Sequence, residues 1–332
     1  MKKIIVTGGA GYIGSHTVVE LWKSGYTPII VDNFSNTTKD NIKGIESIIA
    51  TGIKYYNVDC ADVSALYDVF KDVGEGIAGV IHFAAFKSVG ESVKNPSKYF
   101  KNNVGSLESL MDVMSTFKVN NLIFSSSCSV YGNADKLPVT ESTPFKPAES
   151  PYAETKQICE NIINESIKIN SVALRYFNPI GSHESALIGD RSNDKPSNLV
   201  PVITTALKYG NGITVYGDDY ETIDGTCIRD YIHVVDLAKS HVSALKYINS
   251  REGKYVFNVG TGKGVSVLEA IKSFEEATGE RIDYTIGDRR EGDVVEVYSD
   301  CSLIEKEFKW FAEKTLGDCM KDSWNWEMNR RM

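Results

Sequence analysis

The chain has 332 residues, with 36 Lys and Arg against 44 Asp and Glu, a formal net charge of −8. At roughly 150 residues per domain that length holds one large domain or two small ones, and 42% apolar with 24% charged residues argues against disorder. The acidic balance argues against a nucleic-acid binder, which needs clustered Lys and Arg, and no apolar run approaches the roughly 18 residues of a membrane span.

The opening Met-Lys-Lys-Ile-Ile-Val places two lysines before an apolar stretch that glycines soon end. It is too short for a signal peptide, so a cytoplasmic protein is expected. The scattered Cys60, Cys128, Cys159, Cys227, Cys301 and Cys319 form no Cys-x-x-Cys pair. They read as free thiols in a reducing compartment, with neither a disulfide framework nor a zinc site indicated. No histidine has metal-ligand spacing, so no metal is expected.

Lys3 to Thr7 is a short β-branched run, followed by Gly8, Gly9, Gly11 and Gly14. Ser15 to Ser24 reads as a helix closed by Gly25, and Pro28 to Val31 as a second buried strand. Lys54 to Val58, Gly79 to Phe83, Asn121 to Ser125 and Ser171 to Arg175 are further candidate strands. Asp62 to Lys71, Val104 to Phe117 and Pro151 to Ile169 are candidate helices. This alternation predicts an α/β fold, a Rossmann-like doubly wound parallel sheet with right-handed crossovers and both faces covered.

The regularity fades after about Asn178. Gly181 to Asn198 is polar and reads as a long loop, with shorter elements beyond it. The expected division is a dinucleotide-binding domain over 1–177 and a smaller C-terminal substrate-binding domain over 178–332. Some of the later chain is expected to return to the first domain. The second unit belongs near the carboxyl ends of the first sheet, where a pocket forms.

Gly9-x-Gly11-x-x-Gly14 follows a strand and precedes a helix. Glycines there let the backbone turn sharply and approach a pyrophosphate, which meets the helix amino end. Asp32 closes the next strand. A carboxylate there accepts from both ribose hydroxyls and repels a 2′-phosphate, and Asn33 to Thr38 hold no Arg or Lys to compensate. NAD is therefore expected over NADP; a helix-capping Asp is the plain alternative.

Ser150-Pro151 reads as a helix N-cap and first helical residue. Tyr152 and Lys156, four apart, then share one face of that helix. Upstream, Phe124-Ser-Ser-Ser-Cys-Ser-Val-Tyr-Gly132 ends a strand in three serines, placed either to touch a ligand or simply to turn the chain. A phenol titrates near ~10 and is a poor base at neutral pH. A lysine cation about 5 Å away, at an effective dielectric of about 20, offers roughly 3 kcal/mol to the phenolate, worth about two pKa units. Such a tyrosinate can remove a hydroxyl proton as hydride leaves the same carbon.

With these features, and with Arg175-Tyr-Phe-Asn-Pro-Ile-Gly181, Asp224-Gly-Thr-Cys-Ile-Arg-Asp-Tyr-Ile-His-Val234 and Arg289-Arg-Glu-Gly-Asp293, the chain resembles the extended short-chain dehydrogenase/reductase superfamily. Within it, the resemblance is closest to the UDP-glucose 4-epimerase family and covers essentially the whole chain. It implies Tyr152 as proton acceptor, Lys156 as its electrostatic partner, and Ser127 as the hydroxyl bonded to the reacting sugar oxygen. It implies Gly8, Gly11, Tyr12, Ile13 and Gly14 around the NAD pyrophosphate and Asp32, Asn33 and Asn36 at the adenosine ribose. Asp59 and Cys60 match positions beside the adenine. Phe83, Ala84, Ala85, Lys87 and Asn102 match further cofactor contacts, with Phe177 near the nicotinamide.

By the same resemblance, Asn178, Asn198, Leu199, Val215 and Tyr216 line the nucleotide-sugar site. Arg229 and Arg290 match groups on the UDP pyrophosphate, and Asp293 matches the uridine ribose. Taken alone, Arg229 reads equally as an ion-pair partner of Asp230 or Asp236, Arg290 as a surface charge and Phe83 as core. Val297, four beyond Asp293, matches the wall near the sugar C2 group, although a one-residue slip puts Tyr298 there instead.

The implied reaction is reversible C4 epimerisation of UDP-glucose and UDP-galactose through a 4-keto sugar on tightly bound NAD. A valine at the C2 wall would also admit UDP-N-acetylglucosamine and UDP-N-acetylgalactosamine. A homodimer is implied by resemblance only. The alternatives are a UDP-glucuronate 4-epimerase and a catalytically silent NAD-binding regulator. A 4,6-dehydratase needs a carboxyl pair where this chain has Cys128 and Ser129.

Overall fold

The computed structural model describes residues 2–191, 196–290 and 293–330. Residues 192–195 of the expected loop, and Glu291 and Gly292 of the Arg289–Asp293 motif, lie outside the described residues. The first six strands are β1 Lys3–Thr7, β2 Thr27–Asp32, β3 Tyr55–Asn57, β4 Ile77–His82, β5 Asn121–Ser127 and β6 Asn170–Tyr176. The chain then forms β7 Asn178–Ile180, β8 Ile213–Tyr216, β9 Ile228–Arg229 and β10 Tyr231–His233, before β11 Lys254–Val259 rejoins the first sheet. That sheet has seven strands in the order β11-β6-β5-β4-β1-β2-β3, and every neighbouring pair is parallel. Strand order reverses at β1, and a crevice opens there beyond the carboxyl ends.

Strand alternation sends Ile4 and Val6 to one face and Ile5 to the other. The first face packs on Val18 and Leu21 of the helix Tyr12–Lys23 and on Leu237 and Leu245 of the helix Val234–Ile248. The second packs on Phe70, Leu110 and Ile163 of the helices Val63–Val73, Gly105–Thr116 and Pro151–Glu165. Burial on both faces explains why these strands read as unbroken apolar runs.

The later chain adds β12 Val265–Ser266, β13 Tyr284–Gly287 and β14 Glu296–Val297. They form the small sheets β12-β9-β14 and β13-β8, while β10 pairs with β7. Ile203, Val215, Phe274, Ile282 and Met320 make a separate core beneath them.

Two element boundaries differ from expectation. The first helix begins at Tyr12 rather than Ser15, because Gly14 belongs to its first turn instead of the preceding loop. The helix from Pro151 stops at Glu165, short of Ile169. Ile167 is 96% exposed, while Ile169 packs into the core just before β6. Among the described residues, no helix is long and apolar enough to cross a membrane, and no cluster of side chains is set to hold a metal. All six cysteines are free.

Candidate active site

The glycine turn lies at the switch point, between β1 and the helix Tyr12–Lys23. A Cβ at Gly14 would stand 2.3 Å from the Gly8 carbonyl oxygen, so only glycine permits this approach. Gly11 is the N-cap of the helix. No side chain caps that end and no acidic residue lies in the first turn, which leaves its N–H groups and positive dipole end directed at an anion. Asp32 caps no helix. Its Oδ2 accepts from Ala10 N (3.0 Å) and its Oδ1 from Phe34 N (2.9 Å), tying the end of β2 to the turn. Burial raises its pKa, opposed by these two N–H donors.

A cleft of about 1410 Å³ runs from this turn to the second unit, more than the roughly 300–1,000 Å³ of a single small-ligand site. Every residue matched above to the cofactor lines it, as do Asn178, Asn198, Arg229, Arg290, Asp293 and Val297. Leu199, Val215 and Tyr216 do not. The alternation of β8 turns Val215 into the second core and leaves Tyr216 48% exposed, and Leu199 packs against the same core. Trp326 and Glu327 also line the cleft without a motif to mark them, and Ser129 joins them. The Ser129 Oγ is buried without a partner among the described residues; its only sequence signal is its place in the serine run.

At the centre, Ser127 closes β5 and its Oγ accepts from Ser129 N (3.2 Å). Ser150 caps the next helix, accepting from Ala153 N (3.2 Å), with Pro151 in the first turn. Tyr152 and Lys156 therefore enter the cleft one turn apart. Lys156 Nζ donates to the Ser125 carbonyl (2.6 Å) and lies 5.9 Å from the Tyr152 ring centroid.

Burial pushes Tyr152 up to about 12, partly opposed by its hydrogen bond with Ser127. Burial likewise pushes Lys156 down to about 8. The lowering of Tyr152 expected from its lysine is therefore not found: burial dominates, and the opposing influence comes from Ser127. Lys156 still carries most of its charge at pH 7. Behind the serines, Glu160 accepts from Ser126 Oγ and pairs with Arg175 (Nη2–Oε2 2.6 Å).

At the far end, Arg290 grips Asp293 through Nε (3.1 Å) and Nη2 (2.6 Å), and Arg229 Nη2 lies 3.9 Å from the same carboxylate. Asp230 and Asp236 are engaged by other donors, and neither forms an ion pair with Arg229. Two guanidinium groups on one carboxylate leave a net positive charge, suited to a diphosphate. Val297 faces the cleft beside Phe177. Tyr298 does not line the cleft, its ring lying 3.3 Å from where a Cβ on Gly264 would stand, so of the two it is Val297 that faces the cleft.

A parallel sheet with a glycine turn at its switch point, opening on a cleft that holds Ser127, Tyr152 and Lys156, defines a Rossmann-like dinucleotide-binding protein. The chain belongs to the NAD dependent epimerase/dehydratase family, which it matches over residues 4–260. It is 45% identical over 331 residues to the UDP-glucose 4-epimerase of Dictyostelium discoideum, spanning 98% of this chain and 95% of that protein. The UDP-glucose 4-epimerase of Bifidobacterium longum, solved in complex with NAD+ and UDP, superposes with a TM-score of 0.92 at 44% identity, covering 98% of each chain. The Stenotrophomonas maltophila UDP-glucose 4-epimerase, with bound NAD and formylated UDP-arabinopyranose, gives 0.94 at 40% identity, covering 99% of this chain and 98% of that one.

Proposed function

We propose that the chain interconverts UDP-glucose and UDP-galactose at C4, with NAD held in the glycine-turn half of the cleft. The observation that carries this is the continuity of one cleft from the Gly8–Gly14 turn, past Ser127, Tyr152 and Lys156, to Arg229, Arg290 and Asp293. When bound, NAD supplies the hydride acceptor and donor for the sugar C4 carbon. Gly11 to Gly14 present backbone N–H groups to its pyrophosphate, and Asp32 stands at the adenosine ribose.

Tyr152 takes the C4 hydroxyl proton and later returns one. Ser127 holds the reacting oxygen, and Lys156 supplies a positive charge that favours the phenolate over the buried phenol. Arg229 and Arg290 hold the diphosphate with Asp293 at the uridine, so the handle is fixed while the sugar turns. Cys128 and Ser129, lacking a carboxyl group, speak against water elimination. We divide the molecule functionally into an NAD-binding unit, 1–177 with β11 and the helix before it, and a nucleotide-sugar unit from the remaining later chain. Its setting is the cytoplasm, supported by six unpaired thiols. Its state is a homodimer, a reading that rests on the resemblance alone.

The test is incubation of purified protein with UDP-galactose and no added NAD. UDP-glucose is the expected product; a 4-keto-6-deoxy sugar would instead mark a dehydratase, and no turnover a regulator.

Two substitutions probe its two halves. Asp32→Ala removes the carboxylate that repels a 2′-phosphate. The preference for NAD over NADP should fall about ten-fold, a Coulomb difference of about 1–2 kcal/mol. Competition of the two cofactors for cofactor-free protein measures it, and an unchanged ratio rejects this role. Val297→Tyr replaces an isopropyl group at the cleft wall with a phenol ring. The unaltered protein should also epimerise UDP-N-acetylglucosamine, and the variant should lose that activity while keeping the plain hexoses. If the variant retains both activities in their original ratio, Val297 does not form the C2 wall.

A further inference from the structure

Asp230 lies wholly buried at the joint between β9 and β10, and does not line the cleft. Its Oδ1 accepts from Thr261 N (2.8 Å) and Thr261 Oγ1 (2.7 Å). Its Oδ2 accepts from Gly262 N (3.2 Å), Ser299 N (3.2 Å) and Ser299 Oγ (2.6 Å). A carboxylate has roughly four lone-pair sites, so these donors satisfy it without a cation. Close packing enforces the arrangement. A Cβ at Gly260 would lie 2.3 Å from Asp230 Oδ2 and 2.3 Å from Ser299 Oγ.

The segments joined here come from different parts of the fold. Thr261 and Gly262 follow β11, the edge strand of the cofactor sheet, and Ser299 follows β14, which carries Val297. The Asp230 carbonyl also accepts from both N (3.0 Å) and Nδ2 (3.2 Å) of Asn178. Arg229, the preceding residue, pairs in register with Val297 on one side and Val265 on the other. With the carboxylate saturated by neutral donors, the Arg229 guanidinium is left to face the cleft and Asp293.

We infer that Asp230 is a positioning residue for the substrate, fixing Arg229, Asn178 and Val297 against the carboxyl end of β11 without touching the substrate itself. This sets the separation between the phosphate-gripping arginine and the reacting end of the cleft. The inference rests on reading the cleft as a UDP-sugar site. It also explains why two-residue strands suffice there: one buried anion holds what their few ladder bonds cannot.

The test is UDP binding and UDP-galactose kinetics of the NAD-loaded protein. Asp230→Asn offers one acceptor oxygen and two N–H groups to five donors. The UDP dissociation constant and KM should each rise about ten-fold, or ~1.4 kcal/mol, with a smaller fall in kcat and unchanged NAD content. Ser299→Ala removes one donor and keeps the carboxylate, so it carries the test if Asp230→Asn fails to fold. It should weaken UDP by roughly two- to twelve-fold, the worth of one hydrogen bond.

A purely structural role would lower stability without moving UDP affinity of the folded fraction. The decisive readout is therefore coupling. Once Arg229→Ala has removed the guanidinium, adding Ser299→Ala should weaken UDP much less than it does alone. Wild-type UDP affinity in both folded single variants, or full additivity with Arg229→Ala, overturns the inference. Failure of the wild-type chain itself to bind UDP would overturn the substrate reading beneath it.

Discussion

Tyr152→Phe is expected to keep the fold and the bound cofactor while losing roughly 10²–10⁴-fold in epimerisation rate, the usual worth of a positioned acid–base group. The ring and its packing survive, and only the titrating oxygen goes. The measurement is turnover of UDP-galactose alongside the NAD content of the purified variant. Wild-type-like turnover would remove Tyr152 from the chemistry, and loss of NAD would show that the hydroxyl serves the cofactor site instead.

Lys156 provides the companion measurement. Its pKa is lowered by burial to about 8, so it is cationic below that pH and neutral above it. While cationic, it favours the phenolate. Lys156→Ala should therefore move the acidic limb of the pH–rate profile to higher pH, measured with NAD saturating. An unmoved limb would mean that the cation does not reach the phenol.

The cofactor half was legible because its signals are local. A β-branched run, a glycine turn and an acidic residue at the next strand end occupy Lys3 to Asp32 and report one βαβ unit. The same holds for Ser150-Pro151, whose capping role follows from two adjacent residues. The sugar half was less legible because β9, β12 and β14 have two residues each. Such strands show no periodicity, and their partners lie far apart in sequence, β9 pairing with both β12 and β14. Resemblance supplied residue names there without orientations, which is why Val215 was counted at the cleft although strand alternation buries it.

Electrostatics was the other illegible part. The Tyr–Lys spacing specifies an attraction, but the desolvation that opposes it depends on how deeply both side chains are enclosed. That enclosure is built from β5, β6 and the helix they support, far apart in sequence. The plain alternative for Asp32, a helix cap, was excluded only by seeing both oxygens engaged by Ala10 and Phe34 N–H groups.

Behind the serines, the Glu160–Arg175 pair should be the most costly structural contact to break outside the apolar core. Their side chains are 1% and 7% exposed, and Arg175 donates to Glu160 through Nε (2.9 Å) and Nη2 (2.6 Å). Arg175 Nη1 also reaches the Tyr131 hydroxyl (3.1 Å) and the Glu141 carbonyl (3.2 Å). Glu160→Ala would leave a buried guanidinium without its counter-charge and Ser126 Oγ without its acceptor. A cost of roughly 3–5 kcal/mol is expected, as for other buried pairs that lose one member.

Replacing both, as Glu160→Leu with Arg175→Met, removes the uncompensated charge and should cost less than the two single changes added together. Urea unfolding of the two single variants and the double variant measures this coupling. Because Ser126 stands between Ser125, whose carbonyl holds Lys156, and Ser127 at Tyr152, the single variants should also lose activity while folded. A Glu160→Ala cost below about 1 kcal/mol would place the pair with exposed salt bridges. In that case the strand end would owe its geometry to the surrounding apolar packing alone.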